Sequence, residues 1–276
     1  MQCSLLSDIS VGLIYITSIL YSHSFVYPSK RACDSAQTQQ PTDYRMTLKI
    51  RKATEEDEAS VSRICLLTAD AGASATALHD FGELPGLVYA VPYVKFPTTW
   101  GFVLEDESTR EVVGYILGST DTRAYERYLA EHWWPALAEK YPVEKAVKPA
   151  DIYYTNLLRN MHTASDSNIA FSSAHLHIDI LEAYQKQGWG RRLIAVAVQY
   201  LITKGLQGVW LGLDPRNEGA RKFYKKLQFN AITGAPDENQ MGLRFADFTY
   251  ISRPVDQNLR ILEGQCPCYF HSFLSR

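Results

Sequence analysis

Residues 175–190 read HLHIDILEAYQKQGWG and decide the fold. Alternating residue types at the start predict a β-strand over 174–181, and an apolar helix over 190–204 follows the turn Gln185-Lys186-Gln187-Gly188-Trp189-Gly190. The first N–H groups of a helix lack intrahelical partners, and the helix dipole adds positive charge there. Glycines at 188 and 190 let the backbone approach a ligand, so the turn predicts a phosphate site.

A second informative segment lies about thirty residues further on, at 217–229. Ala220, Phe223, Tyr224 and Leu227 are spaced i, i+3, i+4 and i+7, which predicts a helix over 218–227 with one apolar face. Asn217 is placed to cap it. The apolar run 209–213 between the two helices predicts a strand, and the resulting βαβ order indicates a parallel pair.

The Gln-x-x-Gly-x-Gly turn at 185–190, followed by Asn-x-x-Ala-x-x-Phe-Tyr-x-Lys-Leu-x-Phe at 217–229, resembles the paired motifs of the GNAT superfamily of acetyl-CoA-dependent N-acetyltransferases. Within it, the runs 121–142 and 174–181 are similar to the acetyltransferase-like domain associated with O-GlcNAcase proteins. The resemblance covers about 48–245. It implies an α/β (α+β mixed sheet) GNAT acyl-CoA N-acyltransferase fold with splayed central parallel strands, acetyl-CoA as co-substrate, and no metal.

The resemblance also implies roles for residues of both motifs. Backbone groups of Ile180, Leu181 and Glu182 would bond the pantetheine amides, and the N–H groups from Gln187 to Arg191 would hold the pyrophosphate. Tyr224 would protonate the departing CoA thiolate, and Asn217 would contact the pantetheine or an ordered water. The alternatives are an ordinary βαβ crossover, a tyrosine that only completes an apolar face, and a plain N-cap. The expected cofactor-binding residues are Ile180, Leu181, Glu182, Gln185, Gln187, Gly188, Trp189, Gly190, Arg191, Asn217 and Tyr224.

His175, His177 and Asp179 share one face of the strand that precedes the turn. Only a neutral amine attacks a thioester, so a carboxylate at the cleft could take the proton of an incoming ammonium. We expect Asp179 to be that base, with His177 as the next candidate. Two other interpretations stay open, namely a buried polar network and a His-x-His-x-Asp zinc site.

The predicted function is transfer of acetyl from acetyl-CoA to a primary amine by direct attack in a ternary complex. The alternative is a non-catalytic acyl-CoA-binding or scaffold module of the same fold. A net charge of -2 argues against nucleic-acid binding through a broad basic surface. The basic residues 191, 192, 221, 222, 225 and 226 form a solvated helix face that could include a partner for the CoA 3′-phosphate. The acceptor is a small-molecule or protein amine, and the chain is expected to be a monomer or homodimer.

The domain organisation predicted from composition is an N-terminal extension over 1–45, a GNAT domain over 46–250 and a C-terminal tail over 251–276. The apolar run 9–20 is too short to span a bilayer comfortably, and five scattered cysteines fit a reduced, cytoplasmic or nuclear chain. Cys65 is expected in the core. Residues 73–99 should form short helical pieces over a cleft, and residues 142–173 a long substrate-side loop.

Overall fold

The computed structural model describes residues 47–248, which form a mixed seven-stranded sheet in the order β1-β2-β3-β4-β5-β7-β6. All strand pairs are antiparallel except β4 with β5. The predicted extension and tail lie outside the described residues. The strands are β1 Leu48–Lys52, β2 Thr99–Asp106, β3 Val112–Ser119, β4 His175–Ile180, β5 Gly208–Gly212, β6 Asn230–Ala231 and β7 Gln240–Arg244.

Nine α-helices connect and cover these strands within the described part of the chain. None of them has the length and apolar character needed to cross a bilayer. Trp133 separates α4 from α5, because Pro135 stands in the first turn of α5 and has no N–H to continue the preceding helix. The helices are α1 Glu58–Leu66, α2 Leu84–Tyr89, α3 Pro92–Lys95, α4 Thr122–His132, α5 Trp134–Lys140, α6 Pro149–Leu157, α7 Asp166–Phe171, α8 Trp189–Thr203 and α9 Glu218–Lys226.

The two faces of the sheet carry separate hydrophobic clusters, and β4 has side chains on both faces. Leu176 and Ile180 pack with α8 and α9, whereas His175 and His177 face the tyrosine-rich side under α2, α3 and α4. This is the alternation expected of the strand. Cys65 is buried in the second cluster as a free cysteine, which confirms the core assignment.

The parallel pair β4 and β5 separates almost as soon as it forms. Its register holds one partner pair, His175 with Trp210, while the antiparallel neighbour β3 pairs with β4 along all six residues. The N–H of Trp210 donates to the carbonyl of Ala174 at 3.1 Å, at the start of the pair. The predicted splay of the central parallel strands is therefore present.

One expectation for the region before β4 was wrong. Residues 142–173 are not a long structureless loop, because α6 and α7 form within them and pack against the rest of the domain. Pro149 begins α6, where a proline at the first position loses no hydrogen bond, and the Ser165 side chain caps α7 by accepting from the N–H of Asn168. Residues 73–99 do contain short helical pieces over a cleft, as predicted.

Candidate active site

The gap between β4 and β5 opens into a cavity of about 900 Å³. Residues 175–179 of β4 line one side and residues 210–217 line the other, together with Tyr224 of α9. The helical pieces of 75–93, the helix α4 and the helix α6 cover it. Residues 180–191 are not part of the lining, so the turn before α8 lies beyond this cavity.

Backbone groups of β4 point alternately at its two neighbours. The N–H of Leu181 donates to the Val113 carbonyl of β3 at 2.9 Å, and the carbonyl of Ala174 faces β5. Because the direction alternates residue by residue, Ile178 and Ile180 turn their backbone groups toward β5, where the strands have parted. These groups can serve an extended ligand in the gap, as the unpaired edge of a strand does.

Two of the expected pantetheine contacts therefore change. Leu181 cannot offer its N–H to a ligand or an oxyanion, because that donor belongs to Val113, and its carbonyl accepts from the N–H of Tyr184 at 2.9 Å. The side chain of Gln185 donates to the Ile180 carbonyl at 2.8 Å, which ties the turn back to the end of β4. Ile180 keeps its N–H toward the gap. Glu182 begins a short 3₁₀ turn and is exposed.

The turn before α8 presents a row of unused donors. Gly188 is the N-cap of α8 with φ +87°, and no side chain caps this helix end. Among the described residues, no acceptor faces the N–H groups of Gln187, Gly188, Trp189 and Gly190. A Cβ at position 188 would meet nothing within 4 Å, whereas one at Gly190 would come within 3.0 Å of the Phe223 ring. Gly188 thus allows the left-handed backbone of the turn, and Gly190 allows α8 to pack closely against α9.

Some basic side chains around this turn contact other residues of the domain. The guanidinium of Arg192 lies over the Trp189 ring at 4.5 Å. Arg221 is mostly covered and lies 3.8 Å from the Glu218 carboxylate and 3.6 Å from that of Glu238. Arg192 and Arg221 therefore already have partners among the described residues.

Tyr224 is buried on α9 and lines the cavity, where its ring packs against Phe223 and Phe229. Burial raises the pKa of its phenol, so the hydroxyl keeps its proton at neutral pH. Its hydroxyl oxygen has no hydrogen-bond partner among the described residues. The Asn217 side chain caps α9 by accepting from the N–H of Ala220 at 2.9 Å and also lines the cavity, so both interpretations of Asn217 fit.

His175 has a structural position. The Thr122 hydroxyl donates its only hydrogen to the Ser173 carbonyl at 2.7 Å, so it must accept from Nδ1–H of His175 at 2.7 Å. The bare Nε2 of His175 then accepts from the Tyr93 hydroxyl at 2.7 Å. Burial lowers the pKa of this imidazole to about 3 and keeps it neutral. With both ring nitrogens engaged, His175 belongs to a satisfied polar network.

Asp179 and His177 both reach the cavity from the middle of β4. The Tyr115 hydroxyl donates to the Asp179 carboxylate at 2.6 Å, yet burial dominates and raises the pKa of Asp179 to about 6. The carboxylate is ionised at pH 7 but takes a proton readily. Burial lowers the pKa of His177 to about 4, so His177 is neutral and a weaker base. Of the two expected bases, the electrostatics favour Asp179.

The described residues do not support a zinc site at His175, His177 and Asp179. Both nitrogens of His175 already have partners, and within 47–248 no group of three His, Cys, Asp or Glu side chains is arranged to hold a metal ion. Three tyrosines that the sequence did not predict as site residues line the cavity near these side chains. Tyr89, Tyr153 and Tyr154 come from α2 and α6, and no motif in the sequence marks them as neighbours of β4.

Comparison with known proteins agrees with this geometry. Residues 160–229 match the model of the acetyltransferase (GNAT) family, and this span holds β4, the turn, α8, β5 and α9. This part of the chain is therefore similar to the GNAT acetyltransferase family. The expected fold is confirmed, and the similarity supports the expected superfamily, whereas the O-GlcNAcase-associated branch stays a prediction.

Three known proteins illustrate the range of similarity to this chain. The crystal structure of SsHAT aligns with a TM-score of 0.63 at 28% identity and covers 72% of this chain and 98% of that one. The [ribosomal protein bS18]-alanine N-acetyltransferase of Haemophilus ducreyi is 30% identical over 88 residues, which are 29% of this chain and 59% of that protein. The PaiA N-acetyltransferase of Thermoplasma acidophilum, solved with coenzyme A, gives a TM-score of 0.42 at 12% identity, with 72% and 99% covered. The match to the curated relative spans about three fifths of that relative's length.

Proposed function

We propose that this protein is an N-acetyltransferase that transfers acetyl from acetyl-CoA to a primary amine by direct attack in a ternary complex. The observation that carries the proposal is the separation of β4 from β5 after a single partner pair, next to a helix start with unused donors. The two features would hold the two ends of one extended, anionic ligand. A family match that begins and ends around these elements supports the same conclusion.

The residues present fit such a ligand. The backbone N–H and carbonyl of Ile178 would bond its amides from the gap, and the N–H groups of Gln187 to Gly190 would hold its diphosphate, helped by the dipole of α8. We expect Arg191, at the same helix start, to assist. Acetyl-CoA would supply an acetyl group activated as a thioester. No covalent intermediate on the protein is needed.

We assign the proton transfers to two side chains. Asp179 would take a proton from the acceptor ammonium, directly or through a water molecule, and so release the lone pair that attacks the thioester carbonyl. As the C–S bond breaks, Tyr224 would donate its proton toward the leaving thiolate sulfur, and its phenolate would take the second proton that the acceptor nitrogen releases as the amide forms. The N–H of Ile180 would donate to the oxyanion of the tetrahedral intermediate, because the N–H of Leu181 already donates to the Val113 carbonyl. One such donor is typically worth about 10²–10³ in turnover.

The rival function is a non-catalytic acyl-CoA-binding or scaffold module of the same fold. The unpartnered hydroxyl of Tyr224 in the cavity and the ionised Asp179 favour the enzyme, since a scaffold needs neither. Calorimetry with acetyl-CoA should give binding under both hypotheses. Release of free CoA thiol with an amine panel should occur only for the enzyme, and binding without any thiol release would favour the scaffold.

A matched pair of glycine variants tests the turn itself. Gly188 and Gly205 both have positive φ and open space around the missing Cβ, at opposite ends of α8. G188A and G205A should each cost about 1 kcal/mol of stability, because an L-residue is strained there. Only G188A should weaken acetyl-CoA binding. Equal affinity in both variants would remove the phosphate assignment.

Three finer statements remain proposals. We place the protein in the acetyltransferase-like branch associated with O-GlcNAcase proteins on the residues 121–142 and 174–181. We expect a monomer or homodimer that acts in the cytoplasm on a small-molecule or protein amine. The domain boundaries at 45/46 and 250/251 also stay predictions, which limited proteolysis followed by mass spectrometry would check.

A further inference from the structure

One wall of the cavity is made almost entirely of aromatic rings. Tyr153 is 54% exposed at the mouth and lies 5.5 Å from Tyr154, measured between ring centroids. Tyr154 lies 6.1 Å from Tyr89, and Tyr89 lies 5.8 Å from His177 on β4. We call these four residues the aromatic wall. It runs from the cavity mouth to the strand that carries Asp179.

The charges around the cavity leave one carboxylate without a cationic partner. Asp70 and Asp214 both pair with Arg216, at 2.8 Å and 2.7 Å. Glu126 pairs with Arg123 at 2.8 Å. No Lys or Arg of the described chain pairs with Asp179.

The two histidines beside Asp179 do not supply the missing positive charge. Burial lowers the pKa of His175 to about 3 and that of His177 to about 4, so both are neutral at pH 7. The inner end of the aromatic wall therefore carries an uncompensated negative charge. A desolvated carboxylate in that state favours a cationic ligand.

The rim of the mouth on this side exposes several apolar side chains. Leu78 is 43% exposed and, like Tyr153, lines the cavity. Val147 and Ile152 are exposed on the neighbouring segment, which Lys148 fastens by donating to the Ala77 carbonyl at 3.2 Å. A ligand that enters here would pass these apolar side chains beside the Lys148–Asp80 ion pair.

We infer that the acceptor is an unbranched alkyl amine that enters as its ammonium ion, with its methylene chain along the aromatic wall and its nitrogen directed to Asp179. The inference rests on the proposed function and names the acceptor class for the same site. Ring faces attract cations, and aliphatic chains bury well against them. Lysine side chains and linear polyamines belong to this class, whereas arylamines, which are uncharged at neutral pH, do not.

Calorimetry at pH 7.5 on the full chain saturated with CoA tests the inference without turnover. The probes are n-hexylamine, its uncharged counterpart n-hexanol, p-toluidine as an arylamine, and glucosamine as an amino sugar. We expect hexylammonium to bind at least about tenfold more tightly than each of the others. Equal binding of hexanol or p-toluidine would overturn the role of charge, and equal binding of glucosamine would overturn the unbranched chain.

Variants assign the preference to particular side chains. D179N should lose most of the preference for hexylammonium over hexanol. Y89L should weaken hexylammonium binding by roughly tenfold, since a desolvated cation–π contact is worth about that factor, while Y89F, which keeps the ring, should stay within about threefold of the parent. Y128L, in a half-buried tyrosine of α4 outside the cavity lining, is the matched control. Weakening of the same size in Y128L, or none in Y89L, would overturn the assignment.

Acetyl-CoA affinity measured on the same samples separates this inference from the proposed function. If the unaltered chain binds no acetyl-CoA, the proposed function fails and this inference fails with it. If acetyl-CoA binds but the ammonium preference is absent, only the acceptor class is wrong. Retained acetyl-CoA affinity in Y89L and D179N would also show that these variants fold.

Discussion

Replacing Asp179 by asparagine should stabilise the domain above pH 6 while it slows acetyl transfer. In the folded chain, burial raises the carboxyl pKa from its ordinary 3.8 to about 6. Below pH 4 the group is protonated in both the folded and unfolded states and costs nothing. Above pH 6 it is ionised in both, and the folded state bears the full cost of a buried charge. That interval corresponds to about 3 kcal/mol, at 1.36 kcal/mol per pH unit.

Asparagine keeps an oxygen that can accept from the Tyr115 hydroxyl, so D179N removes the charge with little change of shape. Denaturant unfolding of parent and variant at pH 4, 6 and 8 should give a difference near zero at pH 4 that grows to about 2–3 kcal/mol at pH 8. Other carboxylates cancel in the comparison. Thiol release by the variant should fall by about 10²–10⁴, and the parent's loss of kcat/KM below about pH 6 should disappear. A variant less stable than the parent at pH 8 would refute the buried, uncompensated carboxylate.

Three other substitutions test neighbouring parts of the structure. Y224F should slow thiol release more than it weakens acetyl-CoA binding, as measured by kinetics and by calorimetry. An equal loss of rate and of affinity would show that Tyr224 is only a packing residue. H175A should lower the free energy of unfolding by about 2–4 kcal/mol, because it leaves the Tyr93 hydroxyl and Thr122 without their partner; an unchanged denaturation midpoint would contradict the network. G118A would place a Cβ 2.2 Å from the His175 carbonyl oxygen and 2.6 Å from the Trp100 ring, so we expect a loss of about 3 kcal/mol by thermal unfolding, and a fully stable variant would contradict this strand spacing.

Local sequence signals predicted the elements that carry the site. The alternation in 175–180 gave β4 and assigned its polar face correctly, because the period of a strand is fixed by its backbone. The Asn217 cap and the i, i+3, i+4 pattern predicted α9, and Gly188 marked the left-handed residue at the N-cap of α8. These features depend on neighbours in sequence.

Features that depend on distant residues could not be predicted. The N–H of Leu181 is lost to Val113 only because β3 lies beside β4, and no pattern in 175–190 contains that information. Tyr89 and Tyr154 meet over β4 although 65 positions separate them in the chain. The helices α6 and α7 were missed because both are short and only Pro149 and Ser165 mark their starts.

A crystal structure of the chain with bound CoA tests the central claim most directly. The account predicts the diphosphate oxygens within hydrogen-bond distance of the backbone nitrogens of 187–190, and the pantetheine arm between β4 and β5 beyond the His175–Trp210 pair. A structure in which β4 and β5 pair along their whole length, with CoA bound elsewhere, would contradict it.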